Sequence, residues 1–143
     1  MSDDGFSAAL DQVATWLAAC PTWTAIGGTE IISEERDGAP PATAHAFLSL
    51  GDPESFQRVD AETFQGGIPV LIDVLWPPQG LSVAAERRAA NASAWGLWAE
   101  LAAAAGVHVR TCDPSPPIRL GPSDAPAGWW ETTITLTFAA GNR

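Results

Sequence analysis

Two histidines, two cysteines and a scatter of carboxylates are what this chain offers to chemistry. His45 and His108 are its imidazoles, and no G-x-S-x-G elbow accompanies them. Each falls in a strand-like stretch, where a histidine most simply packs or faces solvent. Cys20, His45, His108 and Cys112 are residue types that zinc accepts. The His108-x-x-x-Cys112 spacing would place both side chains on one face of a strand. No C-x-x-C pair anchors a site, however, so no metal is assigned. Asp52, Glu54, Asp60 and Glu62 crowd one loop-like region, and Glu34, Glu35 and Asp37 another. Paired carboxylates can do acid–base work, but acids clustered in a loop read first as a solvated face. Asp73 stands apart because it interrupts an apolar strand. The reading preferred for it is an ion pair or hydrogen bond across a sheet. No P-loop, dinucleotide fingerprint or EF-hand loop is present. The sequence assigns no catalytic residue, no metal ligand and no cofactor, and the expectation is a protein that is not an enzyme.

The elements that would position these groups belong to one domain, expected over residues 1–143. Apolar residues make up 46% of the 143, enough for a real core. Acids outnumber bases 17 to 7, for a net charge of -10, and every base is arginine. The absence of lysine beside abundant alanine fits a GC-rich genome before it fits any function. The charge argues against a surface that grips nucleic-acid phosphates or anionic lipid. An acidic wall can still let DNA slide past without sticking. The start of the chain lacks the basic region of a signal peptide, and no apolar run reaches the ~20 residues of a membrane span. A soluble protein made in a cytoplasm is expected, with both cysteines free.

Residues 3–19 read as a helix whose stripe includes Leu10, Val13 and Leu17, stopped by Pro21. A linking segment then leads to a strand at 29–35, a polar turn at 37–41 and a second strand at 42–50. Residues 51–67 read as an extended loop or hairpin arm. Residues 68–76 alternate through Val70, Ile72 and Val74 and form a central strand, mostly apolar on both faces. Ser82 caps a long helix to about residue 105, with Leu97, Trp98 and Leu101 in its core stripe. Arg87 and Arg88 sit badly at the positive end of its dipole and need a partner, expected to be an acid. After a short strand from residue 107, the last strand, 128–138, turns Ile134 and Leu136 inward and sets Trp129, Glu131, Thr133, Thr135 and Thr137 as a wet polar row. Among the seven tryptophans, Trp76, Trp95, Trp98 and Trp130 are read as core. Trp16, Trp23 and Trp129 are left for contact surfaces. The fold class is α+β: an antiparallel or mixed sheet of about four to six strands against two helices.

This order of elements resembles the tail terminator or tail completion proteins of long-tailed phages, the family of minor tail protein U. The pieces that carry the likeness are the first helix ending at Cys20-Pro21 and the run Pro40-Pro41-Ala42-Thr43-Ala44-His45-Ala46-Phe47. The strand at 66–76, the helix at 82–105 and the strand at 128–138 complete it. The likeness spans nearly the whole chain as a succession of elements, without a residue-level motif. It implies a virion protein of the tail and neck, assembled in the host cytoplasm as a homo-oligomeric ring, usually of six subunits. Such a ring caps the tail tube and meets the head–tail connector, while DNA passes through its lumen without specific binding. A ring needs two different patches per subunit. The candidates are the arm, with Asp52, Glu54, Arg58, Asp60, Glu62 and Gln65, and the polar row, with Trp129, Glu131, Thr133 and Thr135. Arg58, Arg87, Arg88 and Arg110 are candidates to pair with the arm's acids. Rival readings are a ligand-binding or enzymatic α+β domain, another head–tail connector, and an injection-system adaptor.

Overall fold

The computed structural model describes residues 5–32, 42–51, 54–58, 64–123 and 127–141. The chain folds as an α+β domain with a mixed seven-stranded sheet. In order come α1 (Gly5–Ala18), α2 (Pro21–Ala25), β1 (Thr29–Ile32), β2 (His45–Leu50), β3 (Glu54–Arg58), β4 (Phe64–Trp76), α3 (Val83–Ala105), a 3-10 turn at Gly106–His108, β5 (Val109–Pro114), β6 (Ile118–Arg119) and β7 (Trp130–Gly141). The main path across the sheet is β1-β2-β4-β7-β5, with β3 beside β4 and β6 beside β7.

The long antiparallel β4–β7 ladder is the spine. Alternation assigns its two faces: Val70 lies opposite Leu136, Ile72 opposite Ile134 and Trp76 opposite Trp130 on one side. These residues meet Leu10, Val13 and Leu17 of α1 and Leu97 and Leu101 of α3 in one buried cluster. All three helices therefore cover the same face of the sheet. Among the described residues no helix lies on the opposite face of β4, so the strand is covered less evenly than its sequence suggests. Trp98 is half-buried at the edge of the cluster, where its indole N–H donates to the Cys112 carbonyl at 2.8 Å.

Three local expectations change. Pro21 does not merely stop the first helix. It starts a second at its first turn, where a missing N–H costs nothing. The helix α2 then drives Trp23 inward to 1% exposure. Gly28 makes that possible: a Cβ there would lie 2.2 Å from the Trp23 ring. Secondly, β1 runs parallel to β2, with Thr29 beside His45 and Ile32 beside Leu48. A tight turn would have made them antiparallel. The turn expected at 37–41 lies outside the described residues. Thirdly, Trp95 is 67% exposed, while Trp23, set aside for a surface, is core. Trp95 falls just off the α3 stripe and packs tilted against Trp98, with ring centroids 5.0 Å apart.

Strands β2 and β3 both pair with β4, at its Val70–Leu75 and Phe64–Gly67 portions respectively. Gly51 donates to the Pro69 carbonyl between them, and the register shifts within β3. They amount to one broken strand, and β3 and β4 form a hairpin at the end of the sheet. The last residues of β7 join it, Gly67 pairing with Ala139 and Gln65 with Gly141. Gly67 also admits Arg110, whose guanidinium would stand 2.7 Å from a Cβ there.

Candidate functional site

Polar chemistry collects in two places, the open face of the sheet and the end of the ladder at Trp76 and Trp130. On the open face, Asp73 lies between Phe47 of β2 and Thr133 of β7. The Thr133 hydroxyl donates to its carboxylate at 2.8 Å, so the acid is engaged by a cross-strand hydrogen bond. The Ser115 backbone N–H donates to the Thr133 carbonyl and the Thr133 N–H donates to the Ser115 hydroxyl, which pins the proline-rich turn after β5 to the ladder. Thr135 is half-buried between Leu71 and Asp113, and Glu131 is half-buried between Leu75 and Ile118. The row is drier than expected: Thr137 is 3% exposed, beside the Arg110 that crosses Gly67.

His45 occupies the same face at 1% exposure. Its Nδ1 lies 2.9 Å from the Thr43 carbonyl, which can only accept, so Nδ1 carries the proton. Phe47 and Trp129 pack on the ring at 5.2 and 5.5 Å. Its Nε2 finds no partner among the described residues. Trp129, a candidate contact residue, is thus spent in part on covering His45.

At the other place, Glu86 is the organising side chain. It sits one turn upstream of Ala90 on the core stripe of α3 and is 6% exposed. One carboxylate oxygen accepts from Trp130 Nε1 at 3.2 Å, and the other from the backbone N–H groups of Gln79 and Leu81 at 2.9 and 3.2 Å. The Trp130 bond, then that to Gln79, hold its carboxyl below the usual glutamate range. Burial pulls the other way and loses, while Leu81 and the positive charge of Arg119 add to the lowering. A glutamate in the first turn of a helix reads first as a solvent-facing acid that suits the dipole. Its position on the extended apolar stripe was the signal that it turns inward. Arg87 finds no acid among the described residues. It lies over the Trp130 ring, 5.6 Å from its centroid. Trp76, Gln79, Glu86, Ser93 and Trp130 line a cavity of about 20 Å³ here, and Trp76 Nε1 has no acceptor among the described residues.

The remaining candidates do not converge. Cys20 closes α1 by donating to the Trp16 carbonyl at 3.2 Å, on the helix side of the sheet, whereas His45 faces the other way. Burial, with Glu100 nearby, pushes the Cys20 thiol up to about 11, and burial with Asp113 does the same to Cys112. Both thiols are free. Among the described residues no three His, Cys, Asp or Glu side chains gather as metal ligands would. Glu100 instead ties α3 to the Thr22 backbone and hydroxyl at the start of α2, and Glu30 accepts from Trp23 Nε1 at 3.0 Å. Trp16, the third contact candidate, stacks on Phe138 at 5.7 Å. Asp52, Asp60 and Glu62 lie outside the described residues. Glu54 and Arg58 fall in β3, and Gln65 in β4. Among the described residues no helix is long and apolar enough to cross a membrane. The chain matches no protein-family model and no curated protein sequence.

Proposed function

We propose that this chain is a structural protein of a phage tail, a terminator or completion ring that caps the tube and meets the head–tail connector. The observation that carries the reading is the β3–β4 hairpin joined by the end of β7. It continues the ladder beyond the Ile68–Trp76 stretch that the helices cover. An arm built from core strands suits a protein that must reach a neighbour or a tube. The carboxylates of Glu30, Asp73, Glu86 and Glu100 support it too, since each is engaged in holding the fold together. The net charge of -10, multiplied around a ring, would let DNA pass a lumen without adhering.

The test is assembly. Light scattering and electron micrographs of the purified protein, alone and with tail tubes, should show rings or tube-end caps. A chain that stays monomeric and ignores tubes ends the proposal. Charge reversal at Glu54 and Glu62 should lower tail completion while leaving the melting curve unchanged; normal completion by both variants would remove the arm from the mechanism.

A further inference from the structure

We infer that the cavity between Trp76, Trp130 and Glu86 is a binding site for one long-lived water molecule, which accepts from the Trp76 indole N–H and donates to the Glu86 carboxylate. The site lies within one subunit, so it stands or falls apart from the tail reading.

Three stretches of sequence converge to line it. Trp76 and Trp130 are register partners at the last rung of the β4–β7 ladder. Ala89, Ala90 and Ser93 follow Glu86 at helical spacing, so all four share one face of α3. Pro77 and Gln79 of the connection complete the lining. Trp76 is 7% exposed and Trp130 2%, so both indoles are withdrawn from bulk solvent. Their N–H groups fare differently. That of Trp130 reaches Glu86 at 3.2 Å, whereas that of Trp76 is buried with no acceptor among the described residues. Buried donors in folded proteins nearly always find a protein or water acceptor.

Room, hydrogen-bonding capacity and charge then select the ligand. A cavity of about 20 Å³ admits one water-sized group and no organic molecule. Arg87 over the Trp130 ring cannot serve Trp76, because a guanidinium only donates. A small anion would stand against the Glu86 carboxylate. A cation brings no lone pair and would leave the Trp76 N–H as it is. An apolar group would satisfy neither side. What remains is a neutral oxygen that both accepts and donates. Glu86 has the capacity to receive it: a carboxylate offers about four acceptor positions, and Trp130, Gln79 and Leu81 take three of them. The Ser93 hydroxyl on the same lining is a third polar partner, within the two to four that internal waters keep. With this water in place, one carboxylate holds both indoles of the terminal rung, and β4 as well as β7 is tied to α3.

The experiment is NMR of the full chain labelled with nitrogen-15 at its tryptophan indoles, reading magnetisation transfer from water to each indole proton. Trp76→Phe assigns the Trp76 signal by removing it. That proton should show a direct NOE to water with the sign of a long-lived internal molecule. It should also exchange with bulk solvent at least about tenfold more slowly than the indole proton of exposed Trp95. Ser93→Ala keeps the room and removes the hydroxyl, whose own proton could relay a false signal; the NOE should persist. Ser93→Val fills the room with a group that neither accepts nor donates, and the NOE should vanish while circular dichroism stays that of the wild type. A Trp76 proton without water contact, or one exchanging as fast as that of Trp95, overturns the inference. So does an NOE that disappears in Ser93→Ala, or one unchanged in a folded Ser93→Val variant. The wild-type and Ser93→Ala spectra decide the matter even if Ser93→Val fails to fold.

Discussion

The two faces of the β4–β7 ladder share a backbone and a register, yet they are held by different forces. Under the helices, Val70, Ile72, Val74, Ile134 and Leu136 are completely buried, and dispersion with apolar burial does the work. Across the strand, Leu71, Asp73 and Leu75 face Thr135, Thr133 and Glu131, and the directional contact there is the half-buried Thr133–Asp73 hydrogen bond. The first face supplies stability. The second helps fix register, since a slip of one residue would turn Asp73 into the core and Ile72 out to water. Marginal stability can rest on one face, which leaves the other free to carry polar groups that specify rather than stabilise.

The sharpest way to break this comparison is to cut each face. Leu97→Ala or Ile72→Ala should cost about 2–5 kcal/mol in urea denaturation, from lost burial plus a cavity. Leu71→Ala, half-buried on the open face, should cost no more than about half as much; equal losses would mean that both faces are core. Next in size is Glu86→Gln. An amide cannot accept from Trp130, Gln79 and Leu81 together, so an N–H must face an N–H. The folded carboxyl titrates below the unfolded one, near 4.3, so its contribution is present above that pH and is lost as pH falls through the folded value. The melting temperature of the variant should fall well below wild type at neutral pH, and the gap should narrow in acid. A gap independent of pH would show that shape, not charge, matters at Glu86.

A double-mutant cycle of Asp73→Ala with Thr133→Val should give a coupling of about 1 kcal/mol, the worth of one partly wet hydrogen bond. No coupling would leave the open face without its register pin. Trp98→Phe keeps most of the ring and loses the bond to the Cys112 carbonyl, so about 0.5–1.5 kcal/mol should go. Thr135→Val, at the small end, should change stability by less than about 0.5 kcal/mol; a larger change would show that the polar row carries weight alone.

The covered face was legible in the sequence because apolar periodicity reports burial directly. The stripes of α1 and α3 and the alternation of β4 and β7 named Leu10, Val13, Leu17, Val70, Ile72, Val74, Leu97, Leu101, Ile134 and Leu136. Less was legible where the outcome depends on a partner far along the chain. Trp23 is buried because Gly28 leaves room for its ring, and Trp95 is exposed because it falls beside the stripe rather than on it. The direction of β1 depends on how its connection travels, and composition does not encode that. Glu86 shows the same limit: its charge reads as surface, while its partners come from the preceding loop and from a strand 44 residues later. The engagement of Asp73 was foreseeable from its oddness in an apolar strand. That of His45, covered by Trp129 from across the sheet, was not.

The hairpin and the core share β4, and this gives the molecule a mechanical character. A load applied to the hairpin along the strand axis acts on the β4–β7 ladder in shear. Twelve register pairs, from Gln65–Gly141 to Trp76–Trp130, then bear it together. A load across the strands would instead unzip the pairs one after another. Pulled lengthwise, the arm should behave as a stiff tether anchored in the middle of the fold.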